Sequence, residues 1–117
     1  MEILKFIKCL ADKTRFKLFK LLLDQKLCVC ELTEILDRTQ PCISQHIKKL
    51  KDLDLLIEEK DEQWIYYSID NNKYEYYQKK LNNLKELSFT ELEFPNISKR
   101  LENVKKQDLC NIKSQER

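Results

Sequence analysis

The chain has 117 residues, a formal net charge of +2, and 36% charged residues, enough for one domain with a modest core and a well-solvated surface, and too little for two. Glycine is wholly absent, which excludes the glycine-rich phosphate loops of P-loop and dinucleotide enzymes. The opening MEILKFIKCLADKTR lacks the apolar run and small-residue cleavage site of a signal peptide, and no stretch reaches membrane-spanning length. The expectation is a cytoplasmic protein that is not an enzyme and makes no membrane contact. In that reducing compartment five cysteines read as metal-binding, sensing or buried residues rather than a disulfide framework.

Ile3, Phe6, Ile7 and Leu10 recur at helical spacing, and Asp12 is placed to cap a second helix ending near Asp24, with Phe16, Phe19 and Leu23 as its apolar stripe. After a turn at Gln25 and Lys26 comes a short helix with Cys28 at its cap and Leu32, Ile35 and Leu36 facing inward, ending near Asp37 and Arg38. Thr39 then caps a longer helix that tolerates Pro41 in its first turn. Its apolar seam is Ile43, Ile47 and Leu50, and its opposite face carries Ser44, Gln45, Lys48 and Lys49. Residues 57–60 and 64–69 read as two strands of a hairpin around Asp61, Glu62 and Gln63. A further helix is expected from Asn72, with Glu75 as its capping acid and Tyr74, Tyr77, Leu81 and Leu84 on one side, a stripe suited to a second subunit. Beyond Ser88 the pattern weakens, with Ile97, Leu101 and Val104 spacing one last helix. The fold class is mostly α with a small β-hairpin, divided into a domain at 1–87 and a C-terminal extension at 88–117.

Cys28 and Cys30 stand one residue apart at a helix start, where Ser, Thr, Asp or Asn would cap better, and Glu31 occupies the third-residue acid position. Side chains two apart diverge by about 200° around a regular helix. One ion therefore takes both thiolates only at the first turn, and its capture is coupled mechanically to the helix. Thiolates select thiophilic ions over magnesium or calcium. Inorganic arsenite exchanges three bonds and prefers three thiolates, whereas a singly alkylated arsenic(III) is satisfied by two. Cys110, in the loosely patterned tail, is the candidate third ligand, with an idle thiol as the alternative. Cys9, among Phe6, Ile7 and Leu10, reads as a small buried hydrophobe.

Helix, turn, helix and hairpin is the order of a winged helix-turn-helix, whose second helix enters the major groove of DNA. Gln45 can read adenine, Ser44 can bond a base or a phosphate, and Lys48, Lys49 and Lys51 can offset phosphate charge. Thr39 and Gln40 sit where exposed helix amides favour an anion. Cys42 and His46, four apart on one flank, have metal-compatible spacing. That flank adjoins the groove-facing surface, and His46 is assigned to DNA or to the turn instead. Against these readings, residues 52–62 carry six acids and one lysine, which argues against strong phosphate binding by the hairpin.

The stretches 10–16 (LADKTRF), 27–32 (LCVCEL), 40–47 (QPCISQHI) and 64–67 (WIYY) resemble, in order and spacing, the ArsR/SmtB family of metal- and metalloid-sensing repressors. The resemblance covers about residues 3 to 87. It implies a homodimeric winged-helix repressor that binds a palindromic operator and releases it when a thiophilic ion binds. The cysteine pair matches the subgroup responding to arsenic(III), antimony(III), cadmium or lead. It also implies DNA-contact positions at Thr39, Gln40, Ser44, Gln45 and His46. Thr33 stands where similar arsenite sensors carry a third cysteine, and the later helix lacks the histidine of the family's zinc site. A repressor of the same fold that senses oxidation through Cys28 or Cys30 and Cys110 is the alternative; a thiol oxidoreductase lacks its Cys-x-x-Cys.

Overall fold

The structure is a computed structural model and describes residues 1–110. Helical spacing at the start of the chain becomes α1 (Glu2–Leu10), and Asp12 opens α2 (Lys13–Asp24) by accepting a hydrogen bond from the Arg15 amide at 2.9 Å. Next come the two-residue strand β1 (Leu27–Cys28), α3 (Val29–Leu36) and α4 (Gln40–Lys51), then β2 (Leu56–Asp61), β3 (Trp64–Ile69) and α5 (Asn71–Asn82). A single 3-10 turn at Leu84–Glu86 and α6 (Pro95–Gln107) complete the described chain. Contacts divide it into two compact units, Glu2–Asn82 and Met1 with the residues from Asn83 onward. No described residue beyond Asn82 is buried, so the core belongs to the first unit. No described helix is long and apolar enough to cross a membrane.

The three strands form one antiparallel sheet in the order β1-β3-β2. Leu27 pairs with Tyr67 and Cys28 with Tyr66, while β2 runs beside β3 from Leu56 opposite Ile69 to Asp61 opposite Trp64. The hairpin turn is therefore only Glu62 and Gln63, and β2 is longer than the expected 57–60. Glu62 sits at φ 56°, a conformation that favours glycine. In a glycine-free chain the other left-handed positions of this unit fall to Asp37 and Asp54, whose short polar side chains tolerate that region.

The core joins Leu18, Phe19 and Leu22 of α2, Leu32 of α3, Ile43, Ile47 and Leu50 of α4, and Leu55, Tyr67 and Ile69 around the sheet. Phe6 stacks on Tyr77 with centroids 4.3 Å apart, and Phe19 meets Tyr74 edge-on at 5.2 Å. Such pairs contribute about 0.5–1.5 kcal/mol each beyond area burial, and they tie α1 and α2 to α5.

Several expected faces are rotated. α1 buries Ile3, Phe6 and Cys9 and leaves Ile7 exposed; α2 buries Arg15 with Leu18, Phe19 and Leu22 and leaves Phe16 half outside. The cause on α2 is Arg15, whose guanidinium finds its partners inside: Nε donates to the Cys9 carbonyl and Nη1 lies 3.1 Å from His46 Nδ1. On α3 only Leu32 is buried, Leu36 is half-buried, and Ile35 faces out. α5 starts one residue early because Asp70 is its cap: Asp70 Oδ1 accepts from the amides of Asn72 at 3.0 Å and Lys73 at 3.3 Å. Of its expected stripe Tyr77 is buried and Tyr74 half-buried, while Leu81 and Leu84 are exposed.

Candidate thiol centre and nucleic-acid interface

Cys28 ends β1 and caps α3. Its amide donates to Glu31 Oε1 at 3.1 Å, so the acid half of the expected capping arrangement is formed. The Cys28 side chain is buried and that of Cys30 is exposed, as their angular separation at a helix start requires. Both nevertheless line one cleft of about 240 Å³, together with Val29, Gln40, Gln63, Trp64, Ile65 and Tyr67. The cysteine pair thus faces the first residue of α4 and the tip of the hairpin at once. Cys30 also borders a shallow depression with Glu31, Glu34 and Ile35.

Thr33, at the position of the absent third thiol, donates its hydroxyl to the Cys30 carbonyl at 2.7 Å. It reinforces the turn that carries Cys30 rather than offering a soft donor. Cys110 is exposed and lies in the unit that follows Asn82, beside Val104, Lys105, Asp108 and Leu109. Among the described residues no three His, Cys, Asp or Glu side chains gather into a metal cluster. The donor set in the cleft is two thiols against an apolar and aromatic wall, which suits a thiophilic centre with two exchangeable bonds. Cys9 is buried as read from the sequence, and burial pushes its thiol up against the opposing pull of Arg15 and Lys49.

The second constellation is the outer face of α4. Thr39 Oγ1 accepts from the Cys42 amide at 3.3 Å and starts the helix. Thr39, Gln40, Ser44, Gln45, Lys48 and Lys49 are all exposed. His46 is set apart from them. Its ring packs inward between Arg15 and Asp12, with Nε2 4.0 Å from Asp12 Oδ1 and only 14% of the side chain exposed. Burial lowers its pKa, Arg15, Lys49 and Arg38 push it the same way, and Asp12 opposes them. His46 thus braces α4 against the start of α2, the turn-structuring half of its expected role. Cys42 lies half-buried on that flank. Lys51 pairs with Glu58, which ties the end of α4 to the acidic strand.

Sequence reasoning missed the wall of the thiol cleft. Trp64 is 43% exposed and Ile65 41% exposed, ordinary surface hydrophobes until the Cys28–Tyr66 pairing brings the hairpin beside the cysteines. A strand of two residues leaves no periodicity to read, so only the aromatic motif at 64–67 was available as a signal.

The family model for bacterial regulatory proteins of the ArsR family matches residues 12–58. The arsenic resistance transcriptional regulator ArsR1 of Pseudomonas putida is 43% identical over 63 residues, covering 53% of this chain and 49% of that protein. The arsenical resistance operon repressor of Escherichia coli is 39% identical over 67 residues, covering 56% and 57%. The chain thus spans about half the length of these curated relatives. The homodimeric winged helix-turn-helix DNA-binding domain of Mb0332 from Mycobacterium bovis has the same fold, with a TM-score of 0.58 at 17% identity over 73% of this chain and 80% of that one.

Proposed function

The chain belongs to the ArsR family of bacterial regulatory proteins, and from that premise we propose that it is a cytoplasmic homodimeric repressor of transcription, holding operator DNA when empty and releasing it when arsenic(III) or antimony(III), inorganic or organic, binds Cys28 and Cys30. Arsenical resistance in the names of its relatives supports the inducer class. Cadmium and lead are weaker candidates of the same soft chemistry.

The observation that carries this reading is the shared cleft. Cys28 is held in the β1–β3 ladder, Cys30 rides on the first turn of α3, and Gln40 opens the helix that presents the DNA-reading residues. An ion bonded to both sulfurs fixes the angle between the ladder and α3, and α4 follows through its packing on α3. A change of about 1.4 kcal/mol alters operator affinity tenfold, so a coupling of a few kcal/mol is sufficient. For inorganic arsenite, which has a third bond to satisfy, Cys110 is the thiolate we assign.

DNA contact is assigned to Thr39, Gln40, Ser44, Gln45, Lys48 and Lys49, with Gln45 reading a base edge and the lysines neutralising phosphates. His46 is assigned a supporting place behind them. Fluorescence anisotropy of a labelled fragment from upstream of the gene tests the proposal. Expected is saturable binding by the reduced chain that arsenite, antimonite or phenylarsine oxide reverses. Binding indifferent to all of these, or release by peroxide alone, would overturn it, the latter in favour of the redox-sensing alternative.

A further inference from the structure

Away from the cysteine pair lies a second cleft, of about 390 Å³, between α1, α2 and the end of α4, lined by Lys5, Lys8, Cys9, Arg15, Lys49, Asp52 and Leu53. Four cations face one carboxylate. Elsewhere on the surface Lys20 answers Asp24 and Lys26 answers Glu59. Lys5, Lys8 and Lys49 have no ion-pair partner among the described residues. A concave wall whose charge is mostly of one sign focuses its field and raises the local concentration of counter-ions.

Arg15 gives this cleft a fixed floor. It is 6% exposed, its Nε is spent on the Cys9 carbonyl, and its Nη1 faces His46. The guanidinium also interacts with the Cys9 side chain and with the Asp12 carboxylate, which hold it in place where it lines the cleft. A rigid, planar, desolvated guanidinium with lysines around it matches a tetrahedral oxyanion bearing several equivalent oxygens.

We propose that this cleft binds a phosphoryl group, with Arg15 as its floor and Lys5, Lys8 and Lys49 closing around it. Two sources carry that chemistry. Lys49 shares a helical face with Gln45, one turn earlier on α4, so a backbone phosphate of DNA held by α4 reaches the rim of the cleft. A small free phosphate or pyrophosphate is the other source. The site uses neither cysteine of the thiol centre and stands independently of the proposed inducer.

The test uses the full chain and the exposed pair Lys5→Gln/Lys8→Gln, with Lys17→Gln/Lys79→Gln as a control of equal charge change outside the cleft. Duplex DNA is titrated across a range of salt, and inorganic pyrophosphate is titrated by calorimetry. A backbone phosphate in the cleft predicts that the slope of log K against log salt falls by up to about 0.9 in the cleft variant, the share of one phosphate, and by clearly less in the control. A free-anion site predicts pyrophosphate binding by the parent and the control that weakens at least about tenfold, about 1.4 kcal/mol, in the cleft variant, whether or not the chain binds DNA. If the salt slope of the cleft variant equals that of the control, and pyrophosphate binding is absent or survives the substitution, the proposal is overturned.

Discussion

Cys28 pairs with Tyr66 across the β1–β3 ladder while its own amide donates to Glu31 of α3 at 3.1 Å. One residue is therefore at once a rung of the sheet that carries the hairpin and the cap of the first helix of the helix-turn-helix. This joint makes the two thiols unequal in stability although they are equal in the proposed capture. Cys28→Ser places a hydroxyl in a buried site and is expected to lower unfolding free energy by about 1–3 kcal/mol. Cys30→Ser, on an exposed side chain, should stay within about 0.5 kcal/mol of the parent. Urea unfolding of the two variants under reducing conditions checks the difference, and equal midpoints would contradict the placement of Cys28 in the core.

His46 predicts a pH dependence. Its pKa lies below the ordinary 6.5 in the folded chain, chiefly through burial, so between that lowered value and 6.5 the unfolded chain binds more protons. Stability is then full above about pH 6.5 and is lost as the pH falls through that window. Asp12, itself held below 3.8 chiefly by the Arg15 amide, contributes only in stronger acid. Urea midpoints measured between about pH 7 and pH 5 should fall for the parent and flatten for His46→Gln. A parent that is equally stable across the window would contradict the inward placement of His46.

The hairpin turn holds a correctable strain. Glu62 occupies the left-handed region at φ 56°, where a side chain costs about 1–2 kcal/mol and glycine costs none sterically. Glu62→Gly is expected to raise the urea midpoint by the equivalent of about 0.5–1 kcal/mol after the entropy of the unfolded glycine is subtracted. A lower midpoint would show that the turn adopts a different conformation.

On DNA, Gln45 and Lys48 should fail in different ways. Gln45→Ala is expected to cost about 1–3 kcal/mol on the preferred sequence and to relax discrimination at one position. Lys48→Ala should weaken all sequences alike and reduce the salt slope by about 1. Competition binding against a set of single-base operator variants separates the two, and a uniform loss for Gln45→Ala would remove it from base reading.

Most of the domain could be read from periodicity because its signals are local. Asp12 and Thr39 as caps, Ile43, Ile47 and Leu50 as the seam of α4, and a hairpin around Asp61, Glu62 and Gln63, one residue wider than the turn found, all follow from residues within a few positions of each other. What escaped depends on distant partners. Arg15 turns inward for Cys9 and His46 and rotates the buried face of α2, and Asp70 displaces Asn72 as the cap of α5. The thiol cleft shows the same division. Cys28, Cys30 and Glu31 were legible as a unit, whereas Trp64 and Gln40 join them only through a two-residue strand and the return of β3.

The central claim is that capture by the cysteine pair releases DNA, and it is tested by titrating the reduced protein, bound to labelled operator, with phenylarsine oxide and with arsenite in the parent and in Cys28→Ser, Cys30→Ser and Cys110→Ser. The account predicts that the parent releases DNA with both, that Cys28→Ser and Cys30→Ser bind DNA but release it with neither, and that Cys110→Ser keeps its response to phenylarsine oxide while its response to arsenite weakens. Release from Cys28→Ser or Cys30→Ser at the parent's concentrations would contradict it.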